Sequence, residues 1–161
     1  MTEAKPFTRG AELRAGRSQP APYIRTTEMD LTETEGKKAL RRIIDLCREE
    51  GIQVILTAIP YPADEDAQKM MNSAQIIADE TGIEFLNLFD VEGLVDFETD
   101  CYDEASHLNP DGASKVTNYL GGQLAGRYGI EDRRGDARYA SWNEALAQYE
   151  AYYDAMWRDK W

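Results

Sequence analysis

A single histidine stands among 161 residues, and it lies in the run Asp100-Cys101-Tyr102-Asp103-Glu104-Ala105-Ser106-His107-Leu108-Asn109-Pro110-Asp111-Gly112. Imidazole is the side chain suited to take up and return a proton near neutral pH. A carboxylate that accepts a proton from one ring nitrogen fixes the tautomer and leaves the other nitrogen to act as a base. Asp100, Asp103 and Glu104 all precede His107 closely enough to be considered. Half of a catalytic dyad is present on that reading. A plain structural role, as a turn or capping residue ahead of a helix, accounts for the same histidine, and residue types alone do not separate the two.

A strong helix start comes directly after His107. Asn109 suits the N-cap, Pro110 the first helical position and Asp111 the first turn, where unpaired amide donors favour an acid. Ala113, Val116, Leu120 and Leu124 then recur at helical spacing, so the histidine is predicted to sit in a loop at a helix mouth. Their positions already explain Asn109 and Asp111 as capping groups rather than catalytic ones.

The acid, the short spacer, His107-Leu108-Asn109, the Gly112-Ala113 pair and the amphipathic helix together resemble the last block of the SGNH-hydrolase (GDSL-like lipase/acylhydrolase) superfamily. More narrowly, the chain is similar to bacterial cell-envelope members of the DltD-like and alginate-acetylation type, over a stretch from Thr8 to Tyr139 that includes Asp132-Arg133-Arg134. The resemblance implies a partial flavodoxin-like, three-layer α/β/α fold and acyl-ester chemistry. His107 would be the general base for a serine, oriented by an acid. The usual Asp-x-x-His spacing of the family falls on Glu104, whereas Asp103 is the family's residue type one position further away. Asp103 is slightly favoured and Glu104 stays open. The implied substrates are acyl esters, including acetylated cell-envelope glycans, with no metal or organic cofactor.

One part of the family pattern is missing. No Gly-Asp-Ser or Gly-x-Ser-x-Gly occurs, and Ser18, Ser73, Ser106, Ser114 and Ser141 are unlike a serine on a strand-to-helix elbow. The chain therefore reads as the His-bearing C-terminal portion of such an enzyme, incompetent alone. A non-catalytic α/β protein-interaction domain is the alternative, which the absent serine supports.

The elements that must position His107 can be read from periodicity. Residues 1–36, broken by Pro6, Gly10, Gly16, Pro20 and Pro22, are expected to form an extended arm. Its Lys5, Arg9, Arg14, Arg17 and Arg25 are expected to be solvated, with pairing to the acidic body as the alternative. Ala39, Leu40, Ile43, Ile44 and Cys47 mark a helical face ending at Gly51. The apolar run 52–59 predicts a strand covered on both faces, and a helix from Asp64 to Gly82 leads to a second strand over 83–88. A right-handed crossover would make the strands parallel. Since two strands do not bury a sheet, the layer needs completing, and self-association would be one outlet for exposed edges.

Residues 37–129 thus form the α/β half-domain, and 130–161 a polar hinge with an aromatic helix. Tyr139, Trp142, Leu146, Tyr149, Tyr153 and Met156 are spaced to make one packed stripe, with sugar stacking or a partner surface as alternatives. A 42% apolar content supports a core without disulfides. The net charge of -12 disfavours nucleic acid and anionic lipid as partners. No run is long enough to span a membrane, so the chain as given reads as soluble, while the resemblance implies an extracytoplasmic, cell-envelope setting. Cys47 and Cys101 have no metal-ligand spacing. Cys47 is expected to be a buried thiol, and a disulfide between the two is left open.

Overall fold

The computed structural model describes Arg14, Gly16, Arg17 and residues 23–103 and 107–158. The architecture is mixed α/β and mostly helical, with one parallel sheet of two strands among the described residues. The chain divides into two compact units: one holds 23–95, the other Arg14, Gly16, Arg17, 96–103 and 107–158. No helix of the described residues is long and apolar enough to cross a membrane.

In the 23–95 unit, α1 (Glu35–Glu49) starts where the Thr34 hydroxyl accepts the Lys37 amide at 3.2 Å. It ends in a Schellman turn, in which Gly51 takes a left-handed φ of 70° and the Ile52 and Gly51 amides donate to the Cys47 and Arg48 carbonyls. β1 (Ile55–Ala58) pairs in parallel with β2 (Glu84–Asn87), from Ile55 opposite Glu84 to Ala58 opposite Asn87. Asp64 caps α2 (Glu65–Asn72), and α3 (Ala74–Thr81) closes on Gly82 with φ 67°. α3 packs on both α1 and β2 and buries Ile77 and Ala78.

The single helix expected over 64–82 is two, because the Ser73 hydroxyl donates to the Met70 carbonyl and the chain turns before resuming at Ala74. The strand predicted over 52–59 is only four residues long and is not covered on both faces, since Thr57 is exposed and Ile52 and Ile59 stand partly in solvent. Along α1 only Ile44 is fully buried, and Ile43, expected on the packed face, is 56% exposed. Cys47 is half-buried; the fully buried thiol is Cys101, and both cysteines are free.

The segment before α1 is extended, but side-chain amides strap it to α2. Buried Gln68 donates to the Ile24 carbonyl at 2.5 Å and accepts the Thr26 amide at 3.0 Å, and Asn72 Nδ2 donates to the Thr26 and Glu28 carbonyls, both at 2.9 Å. These bonds fall on alternate residues, as the two-residue period of an extended chain requires. Arg25, expected to be solvated, pairs with Asp90 at 2.9 Å.

In the other unit, α4 (Pro110–Tyr128) buries Val116 and ends at Gly129, φ 63°. A 3-10 turn (Ala137–Tyr139) leads into α5 (Ala140–Tyr153), which finishes in a π turn (Asp154–Arg158). The aromatic stripe does not pack as one face. Trp142 and Leu146 are exposed, whereas Ala145 and Trp157 are buried, and Tyr149 stacks on Tyr153 with ring centroids 6.4 Å apart. The helix buries its small residue at mid-length while its large neighbours stand in solvent. Arg17, also expected in solvent, lies 3.8 Å from Asp111 and 5.9 Å from the Trp157 ring.

Candidate functional site

The loop that carries His107 is built on a buried acid. Asp100, 1% exposed, accepts two bonds from Lys115 Nζ at 2.8 and 2.7 Å, one from the Asp96 amide at 2.8 Å and one from the Thr99 hydroxyl at 3.2 Å. Its carbonyl takes the Asn109 amide at 2.8 Å. Cys101 and Leu108 form an antiparallel bridge, and the Tyr102 amide donates to the His107 carbonyl at 3.2 Å. The two ends of the loop are thereby zipped together at the mouth of α4.

Asn109 locks that mouth. Its Oδ1 accepts the Asp111 and Gly112 amides, both at 3.1 Å, as the N-cap reading predicts. Its Nδ2 donates to the Thr99 carbonyl at 2.7 Å and the Gly16 carbonyl at 3.2 Å, which the capping pattern alone does not foretell. Gly112 is required by contact rather than by φ: a Cβ there would lie 2.5 Å from the Asp100 carbonyl oxygen. Asp111 accepts from the Tyr153 hydroxyl, which ties α5 to the start of α4.

On this frame Asp103 grips His107 twice. Oδ1 accepts the His107 main-chain amide at 3.0 Å, and Oδ2 lies 2.6 Å from ring Nδ1. An ionised carboxylate only accepts, so this contact requires a proton on Nδ1 and leaves Nε2 as the basic nitrogen when the ring is neutral. The imidazole is 60% exposed. The Tyr102 ring stacks against it at 5.4 Å between centroids and 25° between planes.

No family model, no curated protein and no solved structure matches the chain. The chemistry open to the site follows from its own atoms. A ring held at Nδ1 and open to solvent can accept a proton at Nε2 and hand it on. Of the acids upstream of His107, Asp103 meets the ring, Asp100 is committed to Lys115, and Glu104 lies outside the described residues, as do Ser18 and Ser106. Among the described residues no group of three or more His, Cys, Asp or Glu side chains gathers in a way that would hold a metal ion.

Cys101 is beside the site but is not poised for attack. Burial, with Asp100, Asp103 and Asp96 adding repulsion, pushes its thiol up to about 11. Sequence reasoning missed Tyr102 and Lys115. Lys115 left a weak signal, a cation early in a helix whose first turn is acidic, but nothing local in the sequence points it back to Asp100.

Proposed function

We propose that His107 and Asp103 are the general base and its orienting acid in an SGNH-type serine ester hydrolase or O-acyltransferase. The observation that carries this reading is the 2.6 Å contact between Asp103 Oδ2 and His107 Nδ1, which defines the tautomer a serine base needs. In the reaction a serine oxygen attacks the acyl carbonyl as His107 Nε2 takes its proton. The imidazolium then returns that proton to the leaving oxygen. Water or a sugar hydroxyl next receives the acyl group by the same exchange in reverse. Acetyl esters on bacterial cell-envelope glycans are the proposed substrates.

This reading makes the two-stranded parallel sheet part of a larger flavodoxin-like, three-layer α/β/α domain whose serine-bearing strand lies in another segment, and makes the present chain incompetent alone. Support comes from the open sheet, because parallel strands are ordinarily covered by helices on both faces while Thr57 here is exposed. The test is hydrolysis of p-nitrophenyl acetate by this chain and by the chain joined to the product of its upstream reading frame, each with and without His107→Ala. Activity only in the joined, histidine-intact protein is the expected result.

A second reading, a non-catalytic α/β protein-interaction domain, is favoured by Ile43, Leu46 and Ile52, which expose more than half of their surface on and just after α1. Failure of every form to turn over ester would select it.

A further inference from the structure

We infer that Tyr102 is a positioning residue for His107, held in place by Arg14 and Gly16. The inference rests on the general-base reading for its purpose, but not for its geometry. A carboxylate at Nδ1 fixes one edge of an imidazole and leaves the ring free to tilt about that bond. An aromatic face laid against it removes the tilt. Tyr102 provides such a face at 5.4 Å and 25°, and its amide also holds the His107 carbonyl at 3.2 Å, so backbone and ring are restrained by one residue.

Tyr102 is itself held from a distant part of the sequence. The Arg14 guanidinium carbon lies 5.8 Å from the centre of the Tyr102 ring, a cation facing a π system. A Cβ on Gly16 would lie 3.5 Å from the Tyr102 carbonyl oxygen and 3.7 Å from its Cβ, which places the backbone of Gly16 directly on Tyr102. The Gly16 carbonyl accepts Asn109 Nδ2, so Gly16 touches both Tyr102 and the cap of α4. Arg14, Gly16 and His107 all meet at Tyr102, and Asp103 holds the edge of the imidazole.

The chain has one histidine, so long-range proton–nitrogen spectra of the labelled full-length chain report the tautomer of His107 without overlap. The native chain is expected to show the Nδ1-protonated form. Tyr102→Leu is expected to shift the ratio toward the Nε2-protonated form by about threefold to tenfold, the size of one lost aromatic contact. Tyr102→Phe should restore the native ratio, and Arg14→Gln should shift it in the same direction as Tyr102→Leu by a smaller factor. A native ratio in Tyr102→Leu, or a shift in Tyr102→Phe equal to that in Tyr102→Leu, would overturn the inference. Should Tyr102→Leu not fold, Arg14→Gln decides, a native ratio there counting against it. No ester substrate enters the measurement, so a failed esterase assay leaves this result standing and a failed tautomer shift leaves the esterase result standing.

Discussion

Lys115 Nζ reaches both carboxylate oxygens of Asp100, at 2.8 and 2.7 Å, across the join between the histidine loop and α4. The acid is fully buried and the lysine half-exposed, so the pair is asymmetric. Lys115→Met would leave a buried charge with only the Asp96 amide and the Thr99 hydroxyl. The expected cost is about 2 kcal/mol, less than the roughly 3–5 of a fully buried pair because water reaches the vacated end. Urea unfolding would show a lower midpoint at unchanged slope. Adding Asp100→Asn should recover at least part of the loss, since it removes the stranded charge.

Gly112→Ala tests the closeness of loop and helix. The added Cβ would meet the Asp100 carbonyl oxygen at 2.5 Å and the Asp100 Cβ at 2.9 Å, and both belong to a fully buried residue. Such overpacking should cost about 1–3 kcal/mol. Because Asp100 and His107 share the zipped loop, the His107 resonances should move as well. Unchanged stability and unchanged histidine shifts would show that the loop gives way without cost.

Stability is expected to fall in alkali on account of Cys101. Its thiol is raised to about 11 in the folded state, above the roughly 8.5 of a free thiol. The folded chain therefore holds a proton that the unfolded chain has released between those two values. This contribution is complete below about pH 8.5 and is lost as pH rises toward the folded value. At pH 8, Ellman's reagent should titrate half-buried Cys47 and leave Cys101 until denaturant is added. Two thiols reacting at one rate would contradict this.

The strap on α2 should guard one peptide bond. Trypsin cleaves after Arg25, and the amide of that bond, on Thr26, donates to Gln68 Oε1 at 3.0 Å. Gln68→Ala is expected to raise the cleavage rate after Arg25 roughly threefold to tenfold by local opening. Mass mapping of the released N-terminal fragment reads the site. An unchanged rate would mean that Asn72 and the Arg25–Asp90 pair hold the segment without Gln68.

Local rules made much of this legible in the sequence. Asn109, Pro110 and the glycines at 51 and 82 work through their own backbone neighbours, so the start of α4 and two helix ends follow from residue type. The break at Ser73 did not, because a hydroxyl that returns to the Met70 carbonyl competes with a helix that the apolar spacing supports equally well. Burial was misjudged where a face needs a neighbour, at Ile43, Ile52 and Trp142, since periodicity marks which residues share a side and not whether anything covers it. At the site, Asp103 and His107 were visible because they are near in sequence. Tyr102 with Arg14, and Asp100 with Lys115, meet only through tertiary structure.

The most direct test is ester hydrolysis by the chain joined to its upstream reading frame, comparing His107→Ala, Asp103→Asn and Glu104→Gln at fixed pH. The account predicts that His107→Ala removes turnover and that Asp103→Asn lowers it by roughly ten-thousandfold, as loss of the orienting acid does in serine triads. Glu104→Gln should leave it near the native rate. Native turnover in His107→Ala would contradict the account outright, and a collapse in Glu104→Gln with Asp103→Asn intact would overturn the assignment of the acid.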